Sequence, residues 1–413
     1  MRILWFEVTE PSLYNEKKQP IGGWQDALSE IVATNSDFEL IISFFSNEHN
    51  TIKVKDGITY HPISFSMSFV EKYFRAYWDV YAKKLIPELI KIVETYTPDV
   101  IHVFGTEWPY GLIAKYVKVP VVVHIQGAVI PYQNAAYPPG YSVENYKSLF
   151  KFNLKKQYRI WKNSLDSNSW KEQELQVWNS VSNFMGRTNW DKALSNVMHP
   201  GCCYYHVEEA LRPSIIRSAG QWRGLNNNKL SLISTGCSTF WKGPDLMLKV
   251  ARIFMSLNID FEWNVAGLMP DDLKKIVEKK ECIKFEDCRI NILGYLKPNE
   301  LIKLLCSSSI YVHTAYIENS PNSICEAQII GIPVVSTNVG GISSIVPNEN
   351  IGILVPANDP WQMAYSIIHL FMDKERMKKL SLNSINLASK RHNPNNIMSQ
   401  LKTVYYSLYE SDK

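Results

Sequence analysis

The feature that most constrains the fold is an alternation of short apolar runs with longer helical ones, which occurs twice along the chain. In the first half, β-branched and aromatic runs lie at Ile3–Phe6, Leu40–Phe45, Val100–Phe104 and Val121–Ile125, and helical stretches such as Asp26–Thr34 and Val80–Tyr96 lie between them. Strand–helix alternation of this kind predicts a parallel sheet with helices on both faces.

The alternation restarts after residue 228. Strands are predicted at Leu230–Ser234, Phe261–Ala266, Ile290–Leu293, Ser309–His313 and Pro333–Thr337, with a helix at Asp245–Leu257. The polar segment Gly220–Asn228 separates the two halves and is interpreted as a linker. The predicted fold class is therefore α/β, with two Rossmann-like domains over 1–220 and 229–395. Such folds bind ligands beyond the carboxyl ends of the strands, so we expect the domains to face each other across a ligand-binding cleft.

Composition excludes several other classes of protein. Of 413 residues, 44 are Lys or Arg and 40 are Asp or Glu, and a net charge of +4 is too small to indicate nucleic-acid binding. The seven cysteines form no C-x-x-C pair, which argues against a disulfide framework or a zinc site and favours a reducing cytosol. The first residues are too short an apolar run for a signal peptide, and no stretch approaches 18 apolar residues. We therefore expect a cytoplasmic protein.

Residues 128–180 depart from the alternation, because they lack clear strands and are both basic and aromatic. Within 144–171, Lys147, Lys151, Lys155, Lys156, Arg159 and Lys162 are interleaved with Tyr146, Phe150, Phe152, Tyr158 and Trp161. One interpretation is a surface for an anionic membrane or a lipid-phosphate acceptor, which would make the protein peripheral to the inner face of a membrane. The other is a solvated helix face with an apolar stripe.

The segment from Tyr316 to Ala327 is the most informative for chemistry. It follows a predicted strand, and Ser320 and Pro321 are suited to the N-cap and first position of a short helix that ends near Gly331. The first-turn amides of Asn322, Ser323 and Ile324 would then face the carboxyl edge of the sheet. A helix start in this place predicts an anion site.

Two carboxylates flank that predicted site. Glu318 precedes the helix and Glu326 lies within it, so one is positioned to contact a sugar and the other a ribose, with a diphosphate between them. Alternatively, Glu318 is a solvated loop residue and Glu326 an exposed helix residue.

The loop after the strand Leu230–Ser234 supplies a candidate cation. Lys242 stands immediately before a helix start, where a lysine neutralises a phosphate as a mobile point charge, although a surface lysine fits the same pattern. The glycine pairs Gly22-Gly23 and Gly340-Gly341 allow close backbone approach or form simple turns. The sequence contains no D-x-D, H-x-H or H-x-x-x-H, so no metal site is predicted.

Taken in order, these residues resemble a known family. The run from Glu318 to Glu326 resembles the E-x7-E signature of the GT-B glycosyltransferases of family 4, which retain anomeric configuration. The resemblance continues through Gly331-Ile332-Pro333-Val334-Val335, Gly340-Gly341-Ile342 and Gly352-Ile353-Leu354-Val355-Pro356, and includes Gly236, Lys242-Gly243, Gly294-Tyr295, Pro98-Asp99-Val100-Ile101-His102 and Gly22-Gly23. It covers nearly the whole chain and is strongest over 230–390.

The resemblance implies a role for each matching residue. A UDP- or GDP-linked sugar would be the donor substrate, with no cofactor. Lys242 and Glu318 would be catalytic, Lys242 at the diphosphate and Glu318 at the donor sugar. Donor contacts would come from Glu326 at the ribose, the amides of Asn322, Ser323 and Ile324, the backbone near Leu296 at the base, and Gly22 and Gly23. The first domain would bind the acceptor, and a last helix over about 396–413 would return to it.

Two positions depart from the family pattern. Cys237 stands where the family usually has an arginine, so we expect Ser238 or Thr239 to supply hydrogen bonds there, or Arg187 or Arg212 to supply charge. Gln126 stands where the family often has a histidine, and Gln126 donates hydrogen bonds but does not act as a base. Gln126, Glu107 and Arg187 are the candidate contacts for acceptor or sugar; a structural salt bridge is the alternative for Arg187.

The leading hypothesis is a metal-independent retaining hexosyltransferase that builds a bacterial surface polysaccharide or glycolipid. Its partners would be a nucleotide sugar and a saccharide or lipid-linked acceptor. The departures at Cys237 and Gln126 motivate a second hypothesis, a catalytically silent subunit of a transferase pair. A nucleotide-sugar epimerase on the same fold is the third.

Overall fold

The computed structural model describes residues 1–14, 23–224 and 229–411. By backbone contacts the chain divides into two compact units. The first comprises Met1–Ile130, Asn153–Arg212 and His392–Lys413, and the second comprises Pro131–Phe152 and Pro213–Arg391. The boundaries differ from the expected ones at three places, since residues 131–152 and 213–220 cluster with the second unit and residues 392–395 cluster with the first.

The elements up to residue 216 alternate largely as the sequence predicts. They are β1 (Arg2–Glu7), α1 (Trp24–Ala33), β2 (Glu39–Phe45), β3 (Lys53–Lys55), β4 (Ile58–Ile63), α2 (Phe69–Phe74), α3 (Tyr77–Tyr96), β5 (Val100–Phe104), β6 (Val121–His124), α4 (Val129–Asn134), α5 (Val143–Leu149), α6 (Leu154–Ser180), β7 (Asn183–Gly186), α7 (Asn189–Met198), β8 (Cys203–His206) and α8 (Pro213–Ile216), with 3₁₀ turns at Ser12–Tyr14 and Pro109–Lys115.

The remaining elements complete both units. They are β9 (Leu230–Thr235), α9 (Pro244–Ser256), β10 (Phe261–Ala266), α10 (Asp271–Glu281), β11 (Ile290–Gly294), α11 (Pro298–Ser307), β12 (Ile310–His313), α12 (Asn322–Ile330), β13 (Val334–Thr337), α13 (Ile342–Ile345), β14 (Ile353–Val355), α14 (Pro360–Met372), α15 (Lys374–Arg391) and α16 (Pro394–Ser411), with 3₁₀ turns at Phe240–Lys242 and Glu286–Cys288.

In the described part of the first unit the strands form a sheet in the order β3-β4-β2-β1-β5-β6-β7-β8, and only the β3–β4 pair is antiparallel. β1 lies at the centre, with Ile3 in register with Leu40 and Val100. Residues 3–6 of this strand are fully buried because helices cover both faces. α16 packs on this unit, where the Tyr405 hydroxyl accepts a hydrogen bond from Trp5 Nε1 at 3.0 Å.

The second unit contains a parallel sheet in the order β11-β10-β9-β12-β13-β14, counted over its described residues. From β9 the chain continues to β10 and β11 on one side of the sheet, and from β12 it continues to β13 and β14 on the other side. The loops after β9 and β12 are therefore at the position where open α/β sheets bind ligands. These two sheets confirm the predicted α/β class. Among residues 1–14, 23–224 and 229–411, no helix has the length and apolar character needed to cross a membrane.

Candidate functional site

The loop after β12 leads into α12, the helix predicted to form an anion site. The helix begins at Asn322, one residue later than expected, and Pro321 rather than Ser320 occupies the N-cap without a side-chain cap bond. Gly331 ends it in the left-handed conformation at φ 95°. The amide of Ile324 donates to the Pro321 carbonyl at 3.0 Å, so it is already used within the turn. The amides of Asn322 and Ser323 are the first two of the helix and have no intrahelical acceptor.

Lys242 and Glu318 are brought together although 76 residues separate them. Lys242 Nζ donates to Glu318 Oε1, and the two side chains are 25% and 8% exposed. Backbone bonds join the two loops behind this pair, because Tyr316 N donates to Trp241 O at 2.7 Å and Thr314 Oγ1 donates to Lys242 O at 2.8 Å. Because Lys242 is partly exposed, its ammonium is accessible to an anionic ligand, whereas Glu318 is buried.

Two glycines permit the close packing of these loops. Gly243 has φ +72°, and a Cβ there would collide with the carbonyl oxygen of Thr314. Gly340 has φ +52°, and a Cβ there would collide with the carbonyl oxygen of Glu318, to which the Gly341 amide donates at 2.9 Å. Gly340-Gly341 therefore supports the backbone of the Glu318 loop. Of the two interpretations of this glycine pair, the contacts agree with close backbone approach.

Tyr311 and His313, at the end of β12, were not singled out from the sequence. Burial raises the pKa of the Tyr311 phenol to about 12, helped by the negative charges of Glu326 and Glu318, and its hydroxyl bonds Thr235 Oγ1 at 2.9 Å. The two carboxylates of the E-x7-E run thus lie close to one buried phenol. His313 Nε2 lies 3.8 Å from Glu318 Oε1. Both residues could have been singled out from the sequence because they stand near the end of the predicted strand, just before the loop that carries Glu318.

Glu326 lies inside α12 and is 7% exposed. It is therefore not the exposed helix residue of the alternative interpretation. Ser323, one turn earlier, bonds the Tyr311 hydroxyl and lowers its pKa. The side chains of Ser323, Glu326 and Tyr311 consequently form one polar group beside the start of the helix.

Cys237 follows β9 and is fully buried. Burial raises the pKa of its thiol to about 12, so the side chain is neutral and leaves this position without a cation. Ser238 next to it is exposed and available for hydrogen bonding. Leu296 lies in the loop after β11, at the same edge, where Gly267 N donates to Gly294 O at 2.7 Å.

Glu107, Gln126, Arg187, Arg212 and Gly23 belong to the first unit, whereas the other described candidates lie in the second. Glu107 Oε1 accepts a bond from the Gly127 amide at 2.7 Å, and burial raises the pKa of this carboxyl while the charge of Arg187 opposes the rise. Gly23 is the N-cap of α1. Gly22 lies outside the described residues.

Arg187 forms the structural salt bridge that was the alternative to a ligand contact. Its Nη1 lies 3.5 Å from Glu209 Oε2, and the two side chains are 3% and 1% exposed. The guanidinium also lies over the Trp24 ring, 4.7 Å from its centroid. Arg187 is thus held inside the first unit by an internal ion pair.

Glu174, another residue not anticipated from the sequence, lies beside Glu107. It is buried, accepts bonds from the Val129 and Ile130 amides at 2.7 and 3.0 Å, and has its pKa raised to about 7 by burial. It holds the start of α4 against the carboxyl edge of the first sheet.

The basic aromatic interval separates into two parts. Residues 131–152 cluster with the second unit and α6 with the first. Lys162 is 11% exposed and donates to the Arg75 carbonyl at 2.8 Å, so it is a structural residue rather than part of an exposed basic face. Tyr158 donates to the Tyr73 carbonyl at 2.6 Å, which fixes α2 beside α6.

Comparison with known proteins finds a family match in the second unit. Residues 221–387 match the family model described as glycosyl transferases group 1. This part of the chain is similar to that family. It contains Lys242, Glu318 and Glu326, the residues on which the resemblance depends, and the chain as a whole has the GT-B fold.

The relatives that match part of this chain are distant. The yeast phosphatidylinositol N-acetylglucosaminyltransferase GPI3 subunit (Saccharomyces cerevisiae) is 28% identical over 134 residues, which are 32% of this chain and 29% of that protein. This chain therefore spans less than a third of the length of that relative.

Solved structures resemble the whole chain. Sucrose-phosphate synthase from Thermosynechococcus elongatus matches with a TM-score of 0.72 at 12% identity, over all of both chains. Anabaena Alr3699/HepE in complex with UDP-glucose matches with a TM-score of 0.65 at 16% identity, over 98% of this chain and all of that one. At such identities the likeness establishes the fold.

Proposed function

We propose that the chain is a retaining glycosyltransferase that moves a hexose or N-acetylhexosamine from a nucleoside diphosphate sugar to a saccharide or lipid-linked acceptor. The expected setting is bacterial cell-surface polysaccharide synthesis. The observation that carries the proposal is the Lys242–Glu318 pair beside the start of α12, with Glu326 buried behind it. The match to the glycosyl transferases group 1 model and the UDP-glucose complex of the structurally similar HepE support it.

The donor would lie with its diphosphate between Lys242 and the amides of Asn322 and Ser323. A phosphate oxygen replaces Glu318 as the partner of the partly exposed ammonium, and Glu318 is then free to accept hydrogen bonds from sugar hydroxyls. Glu326 would bind the ribose hydroxyls. Hydrogen-bond donors fixed in advance stabilise the charge that develops on the departing diphosphate, so no metal ion is required in this scheme.

Transfer with retention would occur on one face of the sugar. The attacking hydroxyl of the acceptor passes its proton to an oxygen of the leaving phosphate as the glycosidic bond breaks and the new one forms. No enzyme nucleophile takes part. The anomeric coupling constant of the product, measured by NMR, tests this, and a product of inverted configuration would contradict it.

Nucleotide binding is the first test. UDP or GDP should raise the melting temperature of the native chain by a few degrees, because a ligand at 100 times its Kd adds about 2.7 kcal/mol of stability. Lys242→Ala and Glu326→Ala should lose this shift. Lys229→Ala is the control, since Lys229 is a partly exposed lysine paired with Glu262 at 3.0 Å, away from the site. A shift that survives both site substitutions would contradict the assignment.

Turnover distinguishes the proposal from its alternatives. Slow hydrolysis of the donor by the purified chain would exclude a catalytically silent subunit. Conversion of the nucleotide sugar without any acceptor would instead indicate an epimerase. The neutral thiol of Cys237 is the observation that favours a silent subunit, because one diphosphate cation of the family pattern is missing.

We also propose that the first unit meets an anionic membrane surface. Three apolar side chains of α2 are exposed by more than half, Phe69 at 70%, Val70 at 55% and Phe74 at 59%, and α6 adds Leu154 at 85% and Trp161 at 50%. Basic residues accompany them: Lys72 on α2, Arg75 directly after it, and Lys155, Lys156 and Arg159 on α6. Exposed aromatic residues beside lysines and arginines are suited to a lipid–water interface with anionic headgroups.

Vesicle flotation tests this surface. The native chain should float with vesicles of phosphatidylcholine and phosphatidylglycerol, less with phosphatidylcholine alone, and less at high salt. Replacing Phe69 and Phe74 together by Ser should abolish flotation. Trp361→Ser is the control, because Trp361 is 71% exposed on α14 of the other unit. Equal loss in both variants would remove this part of the proposal.

A further inference from the structure

Residues 131–152 pack on the turn that carries Lys242. Three tyrosine rings of this segment surround the buried Phe240, with centroid separations of 5.4 Å for Tyr137, 5.5 Å for Tyr141 and 5.7 Å for Tyr146. Phe240 begins the 3₁₀ turn that ends at Lys242. The segment therefore anchors one of the two loops that form the candidate site.

The same segment contacts the other loop through Tyr132. The hydroxyl of Tyr132 accepts a hydrogen bond from the backbone amide of Asn319 at 3.1 Å. Its ring meets the Trp241 ring nearly edge-on, with centroids 5.9 Å apart and an interplanar angle of 83°. Asn319 follows Glu318 and Trp241 precedes Lys242, so Tyr132 contacts the chain neighbour of each member of the pair.

We propose that Tyr132 is a positioning residue that sets the separation of Lys242 and Glu318. This inference rests on the proposed transferase function, in which both side chains contact the donor. Tyr132 acts through Trp241 and Asn319, the chain neighbours of the two residues. The amide that donates to the Tyr132 hydroxyl belongs to Asn319, which is only 1% exposed. The hydroxyl therefore fixes a buried part of the loop.

The physical reason is that a cation and a carboxylate on separate loops keep a constant distance only if a third group holds both loop backbones. Their mutual attraction alone would draw them together, and an incoming diphosphate must part them. A rigid aromatic ring against Trp241 and a hydroxyl on the Asn319 amide keep both loop backbones in place while the side chains exchange partners. Small misplacements of such groups reduce turnover strongly.

Tyr132→Phe tests the hydroxyl and keeps the ring. We expect UDP to raise the melting temperature as in the native chain and the donor KM to change less than twofold, while kcat for transfer or donor hydrolysis falls about tenfold. Tyr141→Phe is the matched control, because it removes a hydroxyl bond from the same segment, to Glu281 at 2.7 Å, away from the pair. Its kcat should stay within twofold of native.

Hydrogen exchange provides a readout that needs no turnover. In Tyr132→Phe, peptides containing the Asn319 amide should exchange faster, and in Tyr141→Phe they should not. Unchanged exchange in Tyr132→Phe would overturn the inference, as would an unchanged kcat or an equal loss of kcat in both variants. Failure of the native chain to bind any nucleotide is a different result, which would overturn the proposed function and leave the exchange measurement to decide the contact.

Discussion

His313 Nε2 lies 3.8 Å from Glu318 Oε1, yet burial lowers the pKa of this imidazole to about 4, in spite of the carboxylate. The side chain is 4% exposed, and desolvation of the charged form outweighs the attraction of Glu318. At neutral pH the imidazole is therefore uncharged, and Glu318 is paired with Lys242 rather than with His313.

This histidine should make stability depend on pH. Its pKa in the folded state is below the unfolded value of about 6.5, so between about pH 6.5 and 4 the unfolded chain binds more protons. Stability is lost as the pH falls through that window. Between pH 7.5 and 4.5, the free energy of unfolding of His313→Gln should fall by about 2 kcal/mol less than that of the native chain, as measured by denaturation. Identical slopes for the two proteins would contradict this.

Gly243→Ala should destabilise the second unit. Gly243 and Gly140 both have positive φ, at +72° and +86°, but only the Cβ at Gly243 would meet another atom, the carbonyl of Thr314. Gly140→Ala should cost about 1 kcal/mol for backbone strain alone. Gly243→Ala should cost about 3 kcal/mol and weaken UDP binding. Urea denaturation of both variants measures the two free energies of unfolding. An equal loss in both would show that the backbone shifts enough to remove the collision.

Arg187 should prove structural. Arg187→Met leaves the carboxylate of Glu209 buried without this cation, so the free energy of unfolding should fall by about 3 kcal/mol. Adding Glu209→Gln should recover part of the loss. UDP should shift the melting temperature of both variants as in the native chain, because the Arg187 guanidinium is already paired with Glu209. A lost UDP shift would restore the donor-contact interpretation.

The cysteines should differ in reactivity. Burial raises the pKa of Cys237 to about 12, and Cys288 and Cys325 are buried as well, whereas Cys203 and Cys282 are exposed. A thiol reagent at pH 8 should label Cys203 and Cys282 in the native protein, and Cys237 only after unfolding. Mass spectrometry of the labelled peptides measures this. Rapid native labelling of Cys237 would contradict its burial.

The same burial predicts the result of restoring the family's arginine. Cys237→Arg should destabilise the second unit by about 3 kcal/mol, because it places a larger, charged side chain at a fully buried position. Cys237→Ser is the smaller control. Tighter UDP binding in Cys237→Arg without loss of stability would show that the site accepts the missing cation.

The sequence by itself determined the central strands and the class of the site. Runs such as Val100–Phe104 and Phe261–Ala266 coincide with strands because a parallel strand covered on both faces must be continuously apolar. The segment Lys53–Lys55 and the strand Cys203–His206 were not predicted, because edge strands are short and partly polar. The local pattern around Glu318 and Glu326 indicated the family because it is contained in one short stretch.

Only the tertiary structure decided which groups face one another. Nothing in the sequence pairs Lys242 with Glu318 across 76 residues, or directs Tyr132 to the Asn319 amide in a different part of the chain. Burial also settled the charge states of Cys237 and His313, and the internal pairing of Arg187. Local sequence specifies backbone preference and polarity, whereas pairing and desolvation depend on distances that arise only when remote segments pack together.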